Sequence, residues 1–359
     1  MKKKLLLLFI AVSAFSFALK AQDTVKTTSD APLVVYGSVD TYYKYDFSRH
    51  ANIGTYFASD NNSVSIGMID LGLKKKVGKA SFVGELAFGP RGQYQSVPNG
   101  DGAAANANNS FNIQNLYVSF DVTDKFNLTA GYMATFVGYE VISPVGNFNY
   151  STSYLFGAGP FQNAGFKATY AFSDKVSLMA GIFNDQWNNY SAVTQSYTDG
   201  SGAIHQNGEV STFGAQLMVA PVKGWTAYLN FMSGKYSGTI EDLTTSYQIT
   251  DAFKLGLNAA NKTGAGVADY SGVALYPQLA VSKAVTLGVR AESFKLKAFD
   301  TTPSTTYSAF TLTANIKSGP LTFIPEIRFD HNKDMPFTDS SFAPTKTASQ
   351  FVLAAVYGF

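Results

Sequence analysis

The chain's last nine residues, Phe351 to Phe359 (FVLAAVYGF), alternate so that Phe351, Leu353, Ala355, Tyr357 and Phe359 share one parity. Period-two alternation sets those five side chains on one face of a strand. A chain dissolved in water gains little by stopping on an apolar strand with a free terminal aromatic. The closing strand of a barrel in lipid has three uses for it: pairing with the first strand, showing an apolar face outward, and seating an aromatic at the interface. The first expectation is therefore an all-β fold, a transmembrane antiparallel β-barrel. The competing reading is a buried closing strand of a soluble β protein.

The other end of the chain points the same way. Lys2, Lys3 and Lys4 precede an apolar run from Leu5 to Leu19, and Lys20-Ala21-Gln22 offers a small residue for cleavage. The run is shorter than the roughly 20 residues that span a bilayer, so residues 1–21 are expected to be a secretory signal peptide. Residues 22–32 then form a short periplasmic segment and 33–359 the barrel. The expected destination is the outer membrane of a Gram-negative bacterium. With no cysteine, the chain can hold neither a lipoprotein anchor nor disulfides or thiolate metal sites. Removing residues 1–21 takes four lysines and no acid, so 27 basic and 25 acidic residues become 23 and 25, a net charge of −2. Such a balance gives no basic field for nucleic acid.

Charged residues make up 14% of the chain, against a usual share of about 25%. Aromatics are equally frequent, with 21 Tyr and 29 Phe, and mean hydropathy is near zero. That combination suits strands apolar on one face and polar on the other. Short turn-forming clusters recur at Val77-Gly78-Lys79, Thr123-Asp124-Lys125, Ser173-Asp174-Lys175, Pro221 to Gly224, Thr250-Asp251-Ala252, Ser282-Lys283-Ala284 and Lys317 to Pro320. Between them lie longer Asn/Ser/Gly/Thr-rich segments at 48–62, 90–111, 138–161, 187–209, 233–241, 261–269, 296–306 and 331–348. Seven short periplasmic turns and eight long outer loops imply about 16 strands with both termini in the periplasm.

Two details strain this pattern. Pro277 and Pro325 fall inside strands, where a missing N–H removes a ladder bond, so bulges or bends are expected there. In the strand from Val64 to Lys74, Val64 and Ile66 alternate out of phase with Ile69, Leu71 and Leu73, which predicts a bulge near Met68. Aromatics near both strand ends, among them Phe120, Phe172, Trp225 and Tyr357 at the turn side and Tyr45, Phe47, Phe88 and Phe136 at the loop side, are expected to form interfacial girdles or simply to follow strand propensity.

Little else in the chain carries chemistry. His50, His205 and His331 fall in outer loops or at a strand end, away from any serine held rigidly on a strand, so a barrel enzyme is disfavoured and no catalytic residue is assigned. Asp330-x-Asn332-x-Asp334 lacks the glycine and the distant Glu of a calcium loop, and no metal or cofactor is expected. What remains is the inward parity: Asp40, Asp46, Asp70, Glu85, Asp185, Glu292, Glu326 and Asp330, with Lys44, Lys74, Lys167, Lys254, Arg290 and Arg328. Charges that cannot face lipid line water or pair with one another. Asp40, Lys44, Glu85, Lys167, Arg290, Glu292, Glu326, Arg328 and Asp330 are the candidate pore lining, with a salt-bridge ladder that closes the lumen as the alternative. Arg290 and Glu292, like Glu326 and Arg328, lie two apart and point into the same part of the lumen. Eight acids against six bases predict weak ion selectivity.

Segment 138–161 is unusually apolar for an outer loop, with Tyr139, Val141, Ile142, Phe148, Tyr150, Tyr154, Leu155 and Phe156. It is expected to fold into the barrel or to cover a neighbouring subunit. In the first case Tyr139, Glu140, Asn147, Asn149, Ser151 and Ser153 would shape a constriction.

At these residues the chain resembles a known family. Phe136-Val137-Gly138-Tyr139-Glu140, Asn147-x-Asn149-Tyr150-Ser151-x-Ser153, Gly159-Pro160 and Gly165 look like landmarks of the OmpL-like β-barrel porins, the porin-2 type common in Bacteroidota. Thr286 to Phe294 (TLGVRAESF) and Pro325 to Asp330 (PEIRFD) resemble two later landmarks, in the same order along the chain. The terminal Tyr357 and Phe359 resemble the signal that barrel assembly machinery reads. The resemblance implies an outer-membrane porin-like channel bounded by lipid and lipopolysaccharide, passing small hydrophilic solutes by diffusion. It names no solute, and no segment marks an interface for a homo-oligomer. A closed barrel acting through its outer loops as an adhesin or receptor is the rival function. A plugged 22-stranded transporter would need a longer chain.

Overall fold

In a computed structural model, the chain forms a closed antiparallel barrel of sixteen strands joined in sequence order. The structure describes residues 31–54, 56–91, 113–184, 196–198, 204–206, 210–235, 237–264 and 269–359. The barrel strands are β1 (Val34–Asp46), β2 (Ser63–Val77), β3 (Ala80–Phe88) and β4 (Ile113–Thr123). Next come β5 (Phe126–Ala134), β6 (Gln162–Ser173), β7 (Val176–Asn184) and β8 (Val210–Val219). They are followed by β9 (Trp225–Gly234), β10 (Gly238–Gln248), β11 (Phe253–Thr263) and β12 (Tyr270–Ala280). The last four are β13 (Val285–Leu296), β14 (Thr305–Ser318), β15 (Leu321–His331) and β16 (Thr347–Gly358).

Alternation sets the faces. In β16 Leu353 and Tyr357 lie exposed on the outer surface while Val352, Ala354 and Val356 are buried inside. All seven tight connections fall where the turn residues stand, and β16 closes onto β1 with Ser38 opposite Gly358 and Asp46 opposite Gln350. The closure is finished by a reciprocal backbone pair: Phe359 N–H donates to Gly37 O and Gly37 N–H to Phe359 O, both at 3.0 Å. A Cβ on Gly37 would stand 2.1 Å from the carbonyl oxygen of Asp70 and 2.9 Å from the Phe359 ring. Only glycine lets the first strand sit so close to its neighbour and to the terminal aromatic.

The bulge of β2 is where the alternation breaks. Val39 pairs with Ile69 but Thr41 with Ile66, so Gly67 and Met68 oppose Asp40 alone. Val64, Ile66, Ile69, Leu71 and Leu73 consequently all face outward, while Met68 is buried. Asp40 secures the bulge by accepting the Met68 N–H at 2.8 Å.

The two prolines introduce no bulge. Leu255 pairs with Pro277 and Pro325 with Leu353, while on the other side of each strand two pairings are skipped and the register is unchanged. No bulge is required, because each proline turns its missing N–H toward one neighbour only. The polar segment 233–241 is also not a long loop. β9 and β10 run on to Gly234 and Gly238, leaving only residues 235–237 between them. Phe136 does not join an outer girdle; it turns inward against Phe183, ring centroids 5.6 Å apart.

Phe359 thus contributes both a ring at the rim and the last backbone pair of the closure. Deleting it, or replacing it with Asp, is expected to lower the yield of folded, heat-modifiable barrel several-fold without reducing export. Electrophoresis of unheated and heated membrane fractions reads this directly, and a normal folded yield would remove the assembly role.

Candidate functional site

After β5 the chain turns into the barrel instead of outward. Residues 135–161 descend to a tip at Pro144–Gly146, where Ser143 Oγ lies 3.1 Å from Ser38 Oγ toward the short-turn end of the barrel, and then climb back to β6. A segment inside a barrel cannot pair its backbone with a sheet, yet its buried N–H and C=O groups still need partners. Wall charges supply them.

The climbing arm meets the wall in ascending order. Asn315 Nδ2 donates to Phe148 O at 3.0 Å, and Asn149 Nδ2 to Thr313 Oγ1 at 2.6 Å. Glu326 accepts the backbone N–H of Tyr150 at 2.9 Å and of Ser151 at 3.1 Å, and also the Ser151 hydroxyl. Arg290 Nη1 donates to Ser151 O at 2.5 Å, and Arg328 Nη1 to Thr152 O at 2.7 Å. One turn higher, Glu292 accepts the N–H groups of Tyr154 at 3.0 Å and Leu155 at 2.8 Å, at the start of a short helix α1 (Tyr154–Ala158). The Tyr154 hydroxyl donates to Asp330 at 2.5 Å, and the Tyr150 hydroxyl donates to Asp40. Carboxylates therefore take N–H groups and guanidiniums take carbonyls along a single ladder.

The descending arm uses the same logic. Gln216 Nε2 donates to Phe136 O at 3.1 Å, and Asp242 accepts the Gly138 N–H at 3.1 Å. Glu140 forms an ion pair with Arg290 at 2.8 Å and accepts the Ser153 N–H at 2.7 Å, tying the two arms together. Arg91, beyond β3, donates to Ile142 O and Tyr150 O at 3.0 and 3.3 Å while lying over the Phe57 and Tyr150 rings. Apolar side chains of the segment rest on inward-facing glycines. A Cβ would lie 2.5 Å from Phe136 at Gly214, 2.2 Å from Tyr139 at Gly256 and 2.2 Å from Phe148 at Gly288. Tyr139 also stacks on Tyr276 at 4.4 Å.

The structure brings together Asp40, Arg290, Glu292, Glu326, Arg328 and Asp330 with Glu140, Asn149, Ser151 and Ser153, all buried. These wall charges hold the inward segment rather than standing free in the lumen. Arg290 and Glu292 do not pair with each other, nor do Glu326 and Arg328: Arg290 takes Glu140, and Arg328 takes Asp330 at 2.7 Å. Asn147 sits at the exposed tip and closes it locally, exchanging hydrogen bonds with the Val141 backbone. Lys44 is buried high on β1, next to Asp46, whose carboxylate folds the first outer loop by accepting from Ser48 and Asn52. Glu85 lies away from the segment and is held by Tyr36, Gln114 and Asn115. Lys167 is half-buried, Lys74 is exposed with its ammonium over the Tyr36 ring, and Asp185 falls outside the described residues.

Asp242, Arg91, Gln216, Thr313 and Asn315 also anchor the segment, and the inward charge pattern names none of them. Asp242 follows directly on the polar segment 233–241, whose composition reads as a loop, although Ile240, Asp242 and Thr244 already alternate with Glu241 and Leu243. Arg91 lies in a segment with no periodicity to reveal it. His50 packs on Phe342 at 4.3 Å, and its Nε2 lies 2.7 Å from Thr338 Oγ1. Among the described residues no group of three or more His, Asp or Glu is placed to hold a metal ion.

The inward segment covers only part of the wall. Tyr117, Ser119, Lys167, Thr169 and Ser177, on β4, β6 and β7, point inward and are only half-buried. Lys44, Arg290, Glu326 and Arg328, on the opposite side, are almost wholly buried.

A family model described as "Putative beta-barrel porin-2, OmpL-like" matches residues 32–359. Among curated proteins, none matches the chain. Among solved structures, the anion-selective porin from Comamonas acidovorans is similar with a TM-score of 0.58 at 14% identity, covering 91% of this chain and 99% of that one. The outer membrane channel DcaP of Acinetobacter baumannii gives 0.56 at 11%, covering 91% and 97%. OmpT of Vibrio cholerae gives 0.54 at 11%, covering 91% and 97%. At these identities the likeness concerns the fold.

The Arg290–Glu140 pair is the joint between the two arms. Arg290→Ala leaves Glu140 buried without its cation, a change expected to cost about 3–5 kcal/mol. Limited proteolysis should then cut within residues 135–161, and the thermal transition should fall. Adding Glu140→Gln removes the orphaned charge, and the double variant should recover part of the loss. A single variant as resistant and as stable as the parent would show that the pair does not hold the segment.

Proposed function

For a chain that belongs to the OmpL-like β-barrel porin-2 family, we propose a passive diffusion channel for small hydrophilic solutes in the outer membrane. The observation that carries this is the two-sided lumen. A barrel of sixteen strands is wide enough to keep an aqueous passage. Here the inward segment is fastened mainly to one side, and the polar residues of β4, β6 and β7 remain partly open on the other. Permeation would be water-filled, filtered by the width left beside the segment and by the few charges it leaves free, with no covalent step and no energy source.

Segment 1–21 would be removed near Ala21, assembly machinery would read Tyr357 and Phe359, and lipid with lipopolysaccharide would surround the outward faces. Most inward charges are consumed in pairs or by the segment's backbone, so the field in the passage is weak. Lys167, on the open side, tilts it slightly toward anions.

The rival, a sealed barrel that works through its outer loops, requires the open side to be closed by something else. Planar-bilayer recording separates the two. The purified protein should give stable steps of current with weak selectivity, and deletion of residues 143–153 should raise the step size while the barrel stays heat-modifiable. No current from folded protein, before and after the deletion, would favour the sealed barrel.

A further inference from the structure

The outward wall of the barrel carries a hollow of about 580 Å³ toward the short-turn end. Its floor is four short side chains on four neighbouring strands: Pro277 on β12, Val289 on β13, Ala314 on β14 and Pro325 on β15. Leu279, Leu287 and Leu312 stand exposed around this floor, which is itself half-buried. The register brings Pro277 level with Val289 and Pro325 level with Ala314, the places where the two ladders skip their pairings. A proline ring stands lower than Leu or Phe, so each indents the surface without shifting its strand. Hydrocarbon against a flush wall meets protein on one side only. A chain lying in this hollow meets it on several, and dispersion contacts grow with their number.

The rim below the hollow is basic. Five of the seven short turns carry an exposed lysine, namely Lys79, Lys125, Lys175, Lys223 and Lys283. Lys254 and Lys317 stand at strand ends beside the other two turns, and Lys74, Lys75 and Lys76 lie near the end of β2. Against these ten cations the same turns and strand ends hold four acids: Asp121, Asp124, Asp174 and Asp251. Among the described residues one ion pair forms there, Asp121 with Lys76 at 2.6 Å. Lys283 sits in the turn between Leu279 and Leu287, at the mouth of the hollow. Phe120, Phe172, Trp225 and Tyr357 are exposed within a few residues of the turns. Interfacial aromatics at that height set the turn lysines level with lipid head groups.

We propose that this rim is a docking surface for anionic phospholipid of the periplasmic leaflet. One acyl chain lies in the hollow between the two prolines, and the turn lysines, Lys283 first among them, take the phosphates. Short turns mark the periplasmic end of outer-membrane barrels, which assigns the leaflet. The excess of cations selects a head group with net negative charge over a zwitterionic one, since each lysine near an anionic surface adds to the attraction. The surface depends on the barrel's place in the outer membrane and not on conduction.

Native mass spectrometry of the full mature protein in detergent tests this. The protein is mixed with phosphatidylglycerol or with phosphatidylcholine of the same acyl chains, and bound lipid is counted. Phosphatidylglycerol should be retained about tenfold more tightly, with the difference shrinking as ammonium acetate is raised. The variant Lys79→Gln/Lys125→Gln/Lys175→Gln/Lys223→Gln/Lys283→Gln, its fold verified by heat-modifiability, should hold the two lipids equally. Ala314→Phe fills the hollow from the outward face and should lower retention of both lipids several-fold while keeping their ratio. Equal retention of the two lipids by the parent, or an unchanged preference in the folded lysine variant, would overturn the charged rim. Parent-like retention by Ala314→Phe would overturn the hollow. Displacement of phosphatidylglycerol by an equal concentration of glycerol 1-phosphate would show a site for free phosphate esters and overturn the lipid assignment. A barrel that conducts no current but shows the expected lipid preference would defeat the channel reading and leave the docking surface standing.

Discussion

The segment between β5 and β6 enters a space where no strand can pair with it, and the wall meets its backbone with ionised side chains. Glu326 and Glu292 each take two consecutive N–H groups, Arg290 and Arg328 take the carbonyls between them, and Asp242 and Glu140 hold the other arm. Hydrogen bonds to charged groups contribute about 1.5–3 kcal/mol each, more than neutral ones. Burying those charges is unfavourable unless all their bonding capacity is used. Each side of this arrangement supplies what the other lacks. Backbone groups that would be orphaned satisfy charges that would be desolvated, and the result fixes one height and one path for the segment.

The glycines follow from that path. A ladder of hydrogen bonds holds the backbone at a set distance from the wall, so the side chains between must either be small or find a recess. Gly214, Gly256 and Gly288 provide recesses for Phe136, Tyr139 and Phe148 on strands where any Cβ would intrude. Glycine weakens a strand interior by losing packing and by its entropy. Here the aromatic that rests on it replaces part of the missing contact.

The barrel itself was legible because lipid imposes period two without exception, and a single misfit in that period, at Gly67–Met68, was enough to place a bulge. Where composition spoke instead of periodicity, the reading slipped. Polar residues at 233–241 looked like a loop, yet residues inside the lumen are polar too, so polarity alone cannot mark a strand's end. Pro277 and Pro325 leave the register unshifted for a related reason. A proline in a barrel strand gives up a bond to one neighbour, which the remaining ladder tolerates in register. The apolar side chains of 138–161 announced a segment unfit for water. Parity sent Arg290, Glu292, Glu326 and Arg328 inward, but period two carries no information on whether an inward charge meets water, another charge or a backbone amide. Distances settle that, and they come from contacts more than 130 residues apart in sequence for Glu292, Arg290 and Glu326.

The same contacts explain why the lumen has two unlike sides. Most anchors lie on β10, on β13 to β15 and on β1, with Gln216 on β8 and Arg91 beyond β3 apart from them, so the bonds that hold the segment mainly draw it away from β4, β6 and β7. The side that is richest in charge becomes the side with the least access to water, and the other side is left with hydroxyls and Lys167. A lumen read from its residue list would look strongly charged and self-cancelling. Read from its bonds, it is a weakly polar slot beside a charged scaffold. On the proposed channel reading, selection among solutes would then depend less on the sum of inward charges than on the width of the slot, which is set by how firmly the wall holds the segment.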